Sequence, residues 1–261
     1  MSTLPFTNNE LFEHVQSHLN RPVISLFWTG SRVNNLQQKD SDYDVIAITD
    51  INTTDILKQT HYRETVNAQF YQKKLEIKVI DVISLYQALI KGNWILVEAL
   101  SQRPISIQPY FKSLFARLSD SNWLISSCPK NYARSAIGQS IAILARTKSN
   151  HRRWCHDLYY IPKLNNYLHQ LINHPNIYGD AYALITKDLP EVQSARYKLN
   201  GKNLNQLTNE QAITSIQNEI DQLTKTAQIF QSVYHNNNTQ DDLTKAFSYW
   251  ILANRDIPMV L

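Results

Sequence analysis

Four residues near the N-terminus are of types and spacing that could bind a phosphate group and a metal ion. An apolar segment ends in Gly30-Ser31, and after ten intervening residues Asp42-Tyr43-Asp44 opens a second apolar segment. Glycine can adopt backbone conformations that let N–H groups and the Ser31 hydroxyl approach phosphate oxygens. Asp42 and Asp44 lie two apart at the start of a strand, so their carboxylates project to one face and offer the oxygen ligands that Mg²⁺ prefers.

A third carboxylate could come from the segment Leu75–Asp81, which alternates as a strand does and contains Glu76 and Asp81. These two acids are five apart and face opposite sides of a regular strand, so only one can join the site. Glu76 is preferred because an apolar row lies on the opposite face: Leu75, Ile77 and Val79. Lys78 shares the face of Glu76 and either neutralises phosphate charge or screens the acids. Asp81 is expected to cap the next helix, alongside Ser84.

The elements that must position these residues form an α/β (α+β) pattern. A helix is predicted over about 9–20 with Asn8 or Asn9 as its N-cap, followed by strands at Val23–Trp28 and Asp44–Thr49. The strand Leu75–Asp81 is expected to pair with the stretch around 65–71.

The second part of the chain is predicted to be helical, with breaks at prolines: Pro129, Pro162, Pro175 and Pro190. We predict two domains, 1–109 and 110–261. The clearest helix carries an apolar stripe from Ile213 to Tyr234, which indicates a bundle core or, less simply, a seam between two copies. In Lys91-Gly-Asn93, Gly92 is expected to end a helix in the left-handed conformation.

Composition excludes several classes. The chain has five glycines in 261 residues, too widely spaced for a dinucleotide-binding GxGxxG turn or a GxxxxGK[ST] phosphate loop. No apolar run is long enough to span a bilayer, and no leader pattern is present, so a cytoplasmic location is expected. Two isolated cysteines predict neither a disulfide nor a structural zinc site.

The net charge of +4 is concentrated in residues 123–163. This segment contains seven basic residues and one acidic residue, Asp157, and aromatic residues are interleaved with them. The basic residues are Lys130, Arg134, Arg146, Lys148, Arg152, Arg153 and Lys163, and the aromatic ones include Trp123, Tyr132, Trp154, Tyr159 and Tyr160. The segment is either a binding platform for a polynucleotide or a solvated helical face over an ordinary core.

The motifs resemble those of the DNA polymerase beta-like nucleotidyltransferases, and in particular the stand-alone predicted nucleotidyltransferases associated with RNA ligases. The resemblance rests on Gly-Ser-Arg at 30–32, Ser-Asp-Tyr-Asp-Val at 41–45, Leu-Glu-Ile-Lys-Val-Ile-Asp at 75–81, and Lys-Gly-Asn with a following Glu at 91–98. These motifs cover roughly residues 20–105.

The resemblance implies a small mixed sheet flanked by helices and followed by a helical domain. It also implies an enzyme that transfers a nucleoside monophosphate from a nucleoside triphosphate, with ATP as the default, to a hydroxyl acceptor, and that releases pyrophosphate. Asp42, Asp44 and Glu76 would be catalytic and hold Mg²⁺ or Mn²⁺. Gly30, Ser31, Arg32 and Lys78 would bind the nucleotide.

Two other functions stay open. One is a catalytically inactive nucleotide- or RNA-binding module of the same fold, suggested by the glutamate at position 76 and by the basic aromatic segment. The other is a protein-interaction role for the helical half, suggested by the stripe from Ile213 to Tyr234. The acceptor, whether an RNA end, a protein hydroxyl or a small molecule, is not indicated by any motif, and neither is the oligomeric state.

Overall fold

The N-terminal part of the protein is a five-stranded mixed sheet flanked by helices, and the part that follows is helical. The computed structural model describes residues 4–33, 41–51, 61–149, 160–173, 209–234 and 240–254, with residues 55 and 58 and two short strands at 198–199 and 202–203. The predicted α/β class with a helical C-terminal region is confirmed.

The sheet has the strand order β3-β4-β2-β1-β5. Its strands are β1 (Val23–Trp28), β2 (Tyr43–Thr49), β3 (Arg63–Phe70), β4 (Lys73–Asp81) and β5 (Ser106–Ile107). β2 and β4 pair in parallel, and the other neighbours pair antiparallel. The three strands predicted from sequence are confirmed, and β3 is the predicted partner of β4.

Strand alternation separates the two faces of the sheet. On β4, Leu75, Ile77 and Val79 are buried, whereas Glu76 and Lys78 between them are only half-buried. The buried row packs against helix α1 (Asn8–Ser17) in one hydrophobic cluster. The predicted division of β4 into an apolar face and a charged face is therefore confirmed.

Helix α1 begins one residue after Thr7, which closes a capping box with Glu10. The Thr7 hydroxyl accepts a hydrogen bond from the Glu10 N–H at 3.2 Å, and a Glu10 carboxylate oxygen accepts one from the Thr7 N–H at 2.6 Å. The predicted caps Asn8 and Asn9 were wrong, because both lie inside the first turn. The helix also ends at Ser17, earlier than predicted, because His18 is already its C-cap.

Helices α2 (Val82–Ile90) and α3 (Trp94–Leu100) are separated by a turn at Gly92. Gly92 has φ +78, its N–H donates to Leu89 O, and the next N–H, of Asn93, donates to Ala88 O. This is the Schellman pattern that ends a helix. The predicted role of Gly92 is confirmed, and Asn93 in turn caps α3 by accepting from the Leu96 N–H at 3.2 Å.

The remaining helices build the C-terminal part. They are α4 (Lys112–Leu118), α5 (Ser121–Ser127), α6 (Pro129–Ser149), α7 (Tyr160–Asn173), α8 (Asn209–Val233) and α9 (Gln240–Ala253), with a 3-10 turn at Pro109–Phe111. Pro129 and Pro162 lie in first turns, where proline costs no helical hydrogen bond, while Pro175 and Pro190 lie outside the described residues. No helix in the described part of the chain is both long and apolar enough to cross a membrane.

The apolar stripe of α8 packs inside this chain, against α6 and α7. Its buried members are Ile216, Ile220, Leu223, Ala227, Phe230 and Tyr234. Its interpretation as a bundle core is confirmed. The same hydrophobic cluster includes Ile24 and Phe27 of β1, so it extends to both sides of position 109, and the domain division there stays a prediction.

Candidate functional site

The parallel pairing of β2 with β4 places two carboxylates side by side. Asp44 of β2 is the register partner of Glu76 of β4. Both side chains are half-buried and lie on the face of the sheet opposite α1. Lys78, two residues further along β4, projects from the same face, and its ammonium lies 3.3 Å from a Glu76 carboxylate oxygen. The structure thus brings together Asp44, Glu76 and Lys78 of the predicted site.

Gly30 brings the end of β1 against Asp44. It has φ +66, a conformation that side-chain-bearing residues rarely adopt. A Cβ atom at this position would lie 2.5 Å from the Asp44 Oδ2 and 3.1 Å from its Cγ. The neighbouring Thr29 N–H donates to the Asp44 main-chain oxygen at 3.0 Å. The site therefore requires glycine here for two independent reasons, the left-handed turn and the close approach of the carboxylate.

Burial raises the pKa of the Asp44 carboxyl, and the charges of Glu76 and Asp42 raise it further. Lys78 and Lys74 oppose this rise. A half-buried carboxylate with acidic neighbours has an unfavourable charge in the free protein. It is consequently a good position for a positively charged ligand to bind.

Two of the predicted residues lie at the margin of this arrangement. Asp42 precedes β2 and its side chain is exposed, while Ser31 lies half-buried in the turn after Gly30. The carboxylate of Glu76 is near two lysines, with Lys74 Nζ at 3.7 Å and Lys78 Nζ at 3.3 Å. Over the described residues, no group of three or more histidine, cysteine, aspartate or glutamate side chains is assembled that could hold a metal ion. The metal-binding role of Asp42, Asp44 and Glu76 stays a prediction.

Arg32 lies against aromatic rings at the end of the sheet. Its guanidinium carbon is 4.6 Å from the centre of the Tyr43 ring and 5.2 Å from that of Trp28. Its Nε is buried without a hydrogen-bond partner in the described part of the chain. The rings flank the cation two residues beyond Gly30. Burial lowers the pKa of the guanidinium, and Tyr43 and Asp44 oppose this change. No ion pair between Arg32 and Asp42 or Asp44 forms.

Asp81 has a structural role. It is fully buried at the end of β4, where its two carboxylate oxygens accept hydrogen bonds from main-chain N–H groups, of Ser84 at 2.6 Å and of Tyr62 at 2.7 Å. It is the N-cap of α2, as the sequence predicted. With both oxygens used in this way, Asp81 is a poor ligand for a metal beside Asp44, and Glu76 is the better third carboxylate.

A pocket of about 340 Å³ lies beside the acids and was not anticipated from the sequence. It is bounded by β3 and β4 on one side and by the start of α3 on the other, and Lys78 forms part of its wall. Two sequence signals lay near it, Lys78 and the Lys91-Gly-Asn93 motif, since Lys78 and Asn93 both line the pocket. Ile95 is 37% exposed.

The basic segment 123–163 is partly used for packing. Lys163 is buried and its ammonium lies 2.6 Å from a carboxylate oxygen of Glu98, also buried, so the pair joins α7 to α3. Tyr132 is fully buried against Trp94. Lys130 and Arg134 are exposed, whereas residues 150–159 lie outside the described part. For Lys163 and Tyr132, helix packing is the correct interpretation.

Comparisons with known proteins are sparse. No protein-family model matches the chain, and no curated protein matches it. One similar solved structure is a nucleotidyltransferase-like protein from Exiguobacterium sibiricum, which is 12% identical. The match covers 95% of this chain and 91% of the other, with a TM-score of 0.34. A TM-score of this size is too low to establish a common fold.

Proposed function

We propose that the protein is a divalent-metal-dependent nucleotidyltransferase that transfers a nucleoside monophosphate from a nucleoside triphosphate to a hydroxyl group and releases pyrophosphate. The observation that carries the proposal is the contact of Gly30 with Asp44, together with the register of Asp44 and Glu76. A left-handed glycine turn beside two adjacent carboxylates combines a phosphate cradle with metal ligands. This is the combination that the motif resemblance implies.

Each residue of the site would have a role that follows from its position. The turn at Gly30 and Ser31 would hold triphosphate oxygens through main-chain N–H groups and the Ser31 hydroxyl. The Arg32 guanidinium, already held at the end of the sheet by Tyr43 and Trp28, would approach the outer phosphates. Lys78 would lie over the transferred phosphate from the β4 side. The acceptor oxygen forms a bond to the α-phosphorus, the bond to the bridging oxygen breaks, and Glu76 takes the hydroxyl proton.

The donor set fits Mg²⁺ or Mn²⁺, because both prefer carboxylate oxygens. Sites of this kind commonly use one or two carboxylates, with phosphate oxygens and waters completing the shell. Asp44 and Glu76 would provide the protein ligands, and the exposed Asp42 could join when the triphosphate is present. When bound, the ion would neutralise phosphate charge and make the acceptor hydroxyl easier to deprotonate.

Thermal unfolding tests the proposal directly. The four ribonucleoside triphosphates, each with and without Mg²⁺, would be added to the wild type, Asp44→Asn and Asp50→Asn. Asp50 is a matched control, since it is also a half-buried aspartate with a raised pKa but lies just past the opposite end of β2. A ligand at about 100 times its Kd adds about 2.7 kcal/mol to the free energy of unfolding.

We expect one triphosphate, with ATP as the first choice, to raise the Tm of wild type and Asp50→Asn only with Mg²⁺ and to have no effect on Asp44→Asn. Only the wild type and Asp50→Asn should release radiolabel from the α-phosphate of the triphosphate or transfer it to an acceptor. Equal stabilisation of all three proteins, or none of any, would contradict the proposal.

A second candidate function is a nucleotide- or RNA-binding module without catalysis. It is favoured by the pairing of Glu76 with Lys74 and Lys78, which occupies the third carboxylate. This function predicts RNA binding that survives EDTA and weakens steeply with salt. Binding of that kind, with no metal-dependent triphosphate effect, would replace the enzymatic proposal.

A further inference from the structure

The pocket beside Glu76 lies on the side of the carboxylates away from Gly30. Across the sheet the order is β1, which ends at Gly30, then β2 with Asp44, then β4 with Glu76, and then β3. The pocket is lined by Thr65 of β3, by Ile46, Lys78 and Ile80, and by the start of α3. Lys78 joins it to the site, because its ammonium lies 3.3 Å from Glu76.

This order matters because a phosphoryl group is transferred in line. The attacking oxygen and the leaving group lie on opposite sides of the phosphorus. If the outer phosphates lie in the Gly30 turn and the α-phosphorus lies over Asp44 and Glu76, pyrophosphate leaves towards β1. The acceptor hydroxyl must then approach from the β4 and β3 side, where the pocket lies.

The pocket walls indicate what the acceptor is. Its lining includes four apolar side chains, Ile46, Ile80, Ile95 and Leu96, and the hydrogen-bonding groups of Thr65 and Asn93. Apolar walls with a few hydrogen-bonding groups are typical of small-molecule sites, and about 340 Å³ is within their usual size. A ring with an apolar face and several hydroxyl groups fits this combination.

The charges at the pocket balance in number: Arg63 and Lys78 are positive, whereas Glu64 in the lining and Glu76 beside it are negative. Lys78 pairs with Glu76, the Arg63 guanidinium donates to Ser84 O at 2.8 Å, and the Glu64 carboxylate accepts from the Tyr62 hydroxyl. A polynucleotide acceptor would need a surplus of positive charge for its phosphates. The pocket has no such surplus, which favours a neutral ligand.

We propose that this pocket is the acceptor subsite and that the acceptor is a neutral, polyhydroxylated small molecule of about one ring, such as a monosaccharide or cyclitol. The inference rests on the proposed nucleotidyltransferase function and names its substrate class. One acceptor hydroxyl oxygen bonds to the α-phosphorus of the triphosphate, its proton passes to Glu76, and the bond to the pyrophosphate oxygen breaks. The products are a nucleotidylated ring and pyrophosphate.

Filling the pocket tests this assignment. Ile95→Trp replaces an aliphatic side chain of the pocket lining by the larger indole ring. Ile141→Trp is the matched control on the exposed face of α6, where Ile141 is 53% exposed. Thr65→Arg obstructs the pocket from the β3 side and serves as a second variant should Ile95→Trp fail to fold. Circular dichroism and Tm would establish that each variant is folded.

Two readouts are measured for each protein. The first is the rise in Tm caused by triphosphate with Mg²⁺. The second is transfer of label from α-³²P-labelled ATP to glucose, ribose and myo-inositol, and separately to a 12-nucleotide RNA and a serine-containing peptide. We expect Ile95→Trp and Thr65→Arg to keep the triphosphate effect and to lose about 100-fold in transfer to a small polyol. Ile141→Trp should behave as the wild type in both readouts.

Each other outcome has a definite meaning. Loss of the triphosphate effect in Ile95→Trp and Thr65→Arg would show that the pocket holds the nucleoside and would overturn the inference. Unchanged transfer in both variants, or transfer only to RNA or peptide, or to no polyol tested, would overturn it as well. Absence of any triphosphate effect in the wild type would instead contradict the proposed function, before the variants are compared.

Discussion

The two faces of the sheet differ in what their side chains do. On the α1 face, Leu75, Ile77 and Val79 are sealed beneath a helix and an aromatic cluster. On the opposite face, Asp44, Glu76 and Lys78 interrupt the apolar surface with half-buried charges. Because successive residues of a strand point to opposite faces, one strand contributes both to the stability of the fold and to the candidate site. Stability and chemistry should therefore separate at consecutive positions of β4.

The largest expected effects come from two neighbouring substitutions, Ile77→Ala and Glu76→Gln, which test whether stability and chemistry separate on β4. Ile77 is fully buried, so its truncation should lower the free energy of unfolding by about 2–5 kcal/mol. Glu76→Gln removes partly exposed ion pairs and should cost under about 1 kcal/mol, yet abolish transfer. Urea unfolding and label transfer measure the two effects. A large stability loss in Glu76→Gln would refute the division.

The next effect concerns the turn that closes on the charged face. Gly30→Ala puts a methyl group 2.5 Å from the Asp44 carboxylate in a left-handed turn and should weaken triphosphate-dependent transfer on the order of 100-fold. Gly138→Ala is the control, since a Cβ there meets nothing within 4 Å on helix α6. That variant should gain about 0.5–1 kcal/mol in stability with unchanged transfer. Equal transfer rates in the two variants would refute the importance of the Gly30 contact.

A smaller effect concerns the cost in stability of ionised Asp44 on the charged face of the ligand-free protein. Burial raises the pKa of Asp44 above its ordinary value of 3.8, so ionised Asp44 destabilises the fold at neutral pH. Asp44→Asn should therefore raise the Tm of the ligand-free protein, with a gain that vanishes below about pH 3.8 and grows as the pH rises through the raised pKa of Asp44. Asp221→Asn, at an exposed position of α8, is the control. A Tm lowered by Asp44→Asn at pH 7.5 would contradict the prediction.

The smallest effect lies on the α1 face. Burial, and then the adjacent His18 ring, lower the pKa of His14, whose ring lies 4.6 Å from that of Phe70. The His14 ring then binds a proton more readily in the unfolded chain than in the folded one. The stability that neutral His14 contributes is therefore present above about pH 6.5 and is lost as the pH falls below that value. His14→Gln should flatten the decline of Tm between pH 7 and pH 5. His61→Gln, at an exposed position, should leave that decline unchanged. Equal slopes of Tm against pH in the wild type and His14→Gln would exclude His14 as the cause.

Local features were predictable where one residue determines the geometry. Asp81 as a cap, Gly92 as a helix end and the alternation of β4 all follow from short-range rules, and the structure confirms them. The cap of α1 was missed because Thr7 and Asn8 are both good caps, and only the capping box with Glu10 decides between them. Pattern alone cannot distinguish such neighbours.

Features that depend on distant pairing were not predictable. The sequence indicates strands β2 and β4 but not that they lie in parallel, which is what brings Asp44 opposite Glu76. The pocket depends on how α3 packs over β4, and no local pattern encodes that packing. Arg32 was expected to bind the nucleotide, but nothing in the sequence indicated that the rings of Trp28 and Tyr43, from two different strands, would lie against it.

The short strand β5 has a consequence for synthesis of the chain. It covers the outer edge of β1 through the pairs Ser25 with Ile107 and Leu26 with Ser106, and the Ser25 hydroxyl donates to Ser106 O, 81 residues later. Until the ribosome has released that segment, β1 has an open edge able to pair with another nascent chain. We therefore expect fragments ending after β4 to aggregate, and those extending past the 3-10 turn at Pro109–Phe111 to be the shortest in which the edge of β1 is covered.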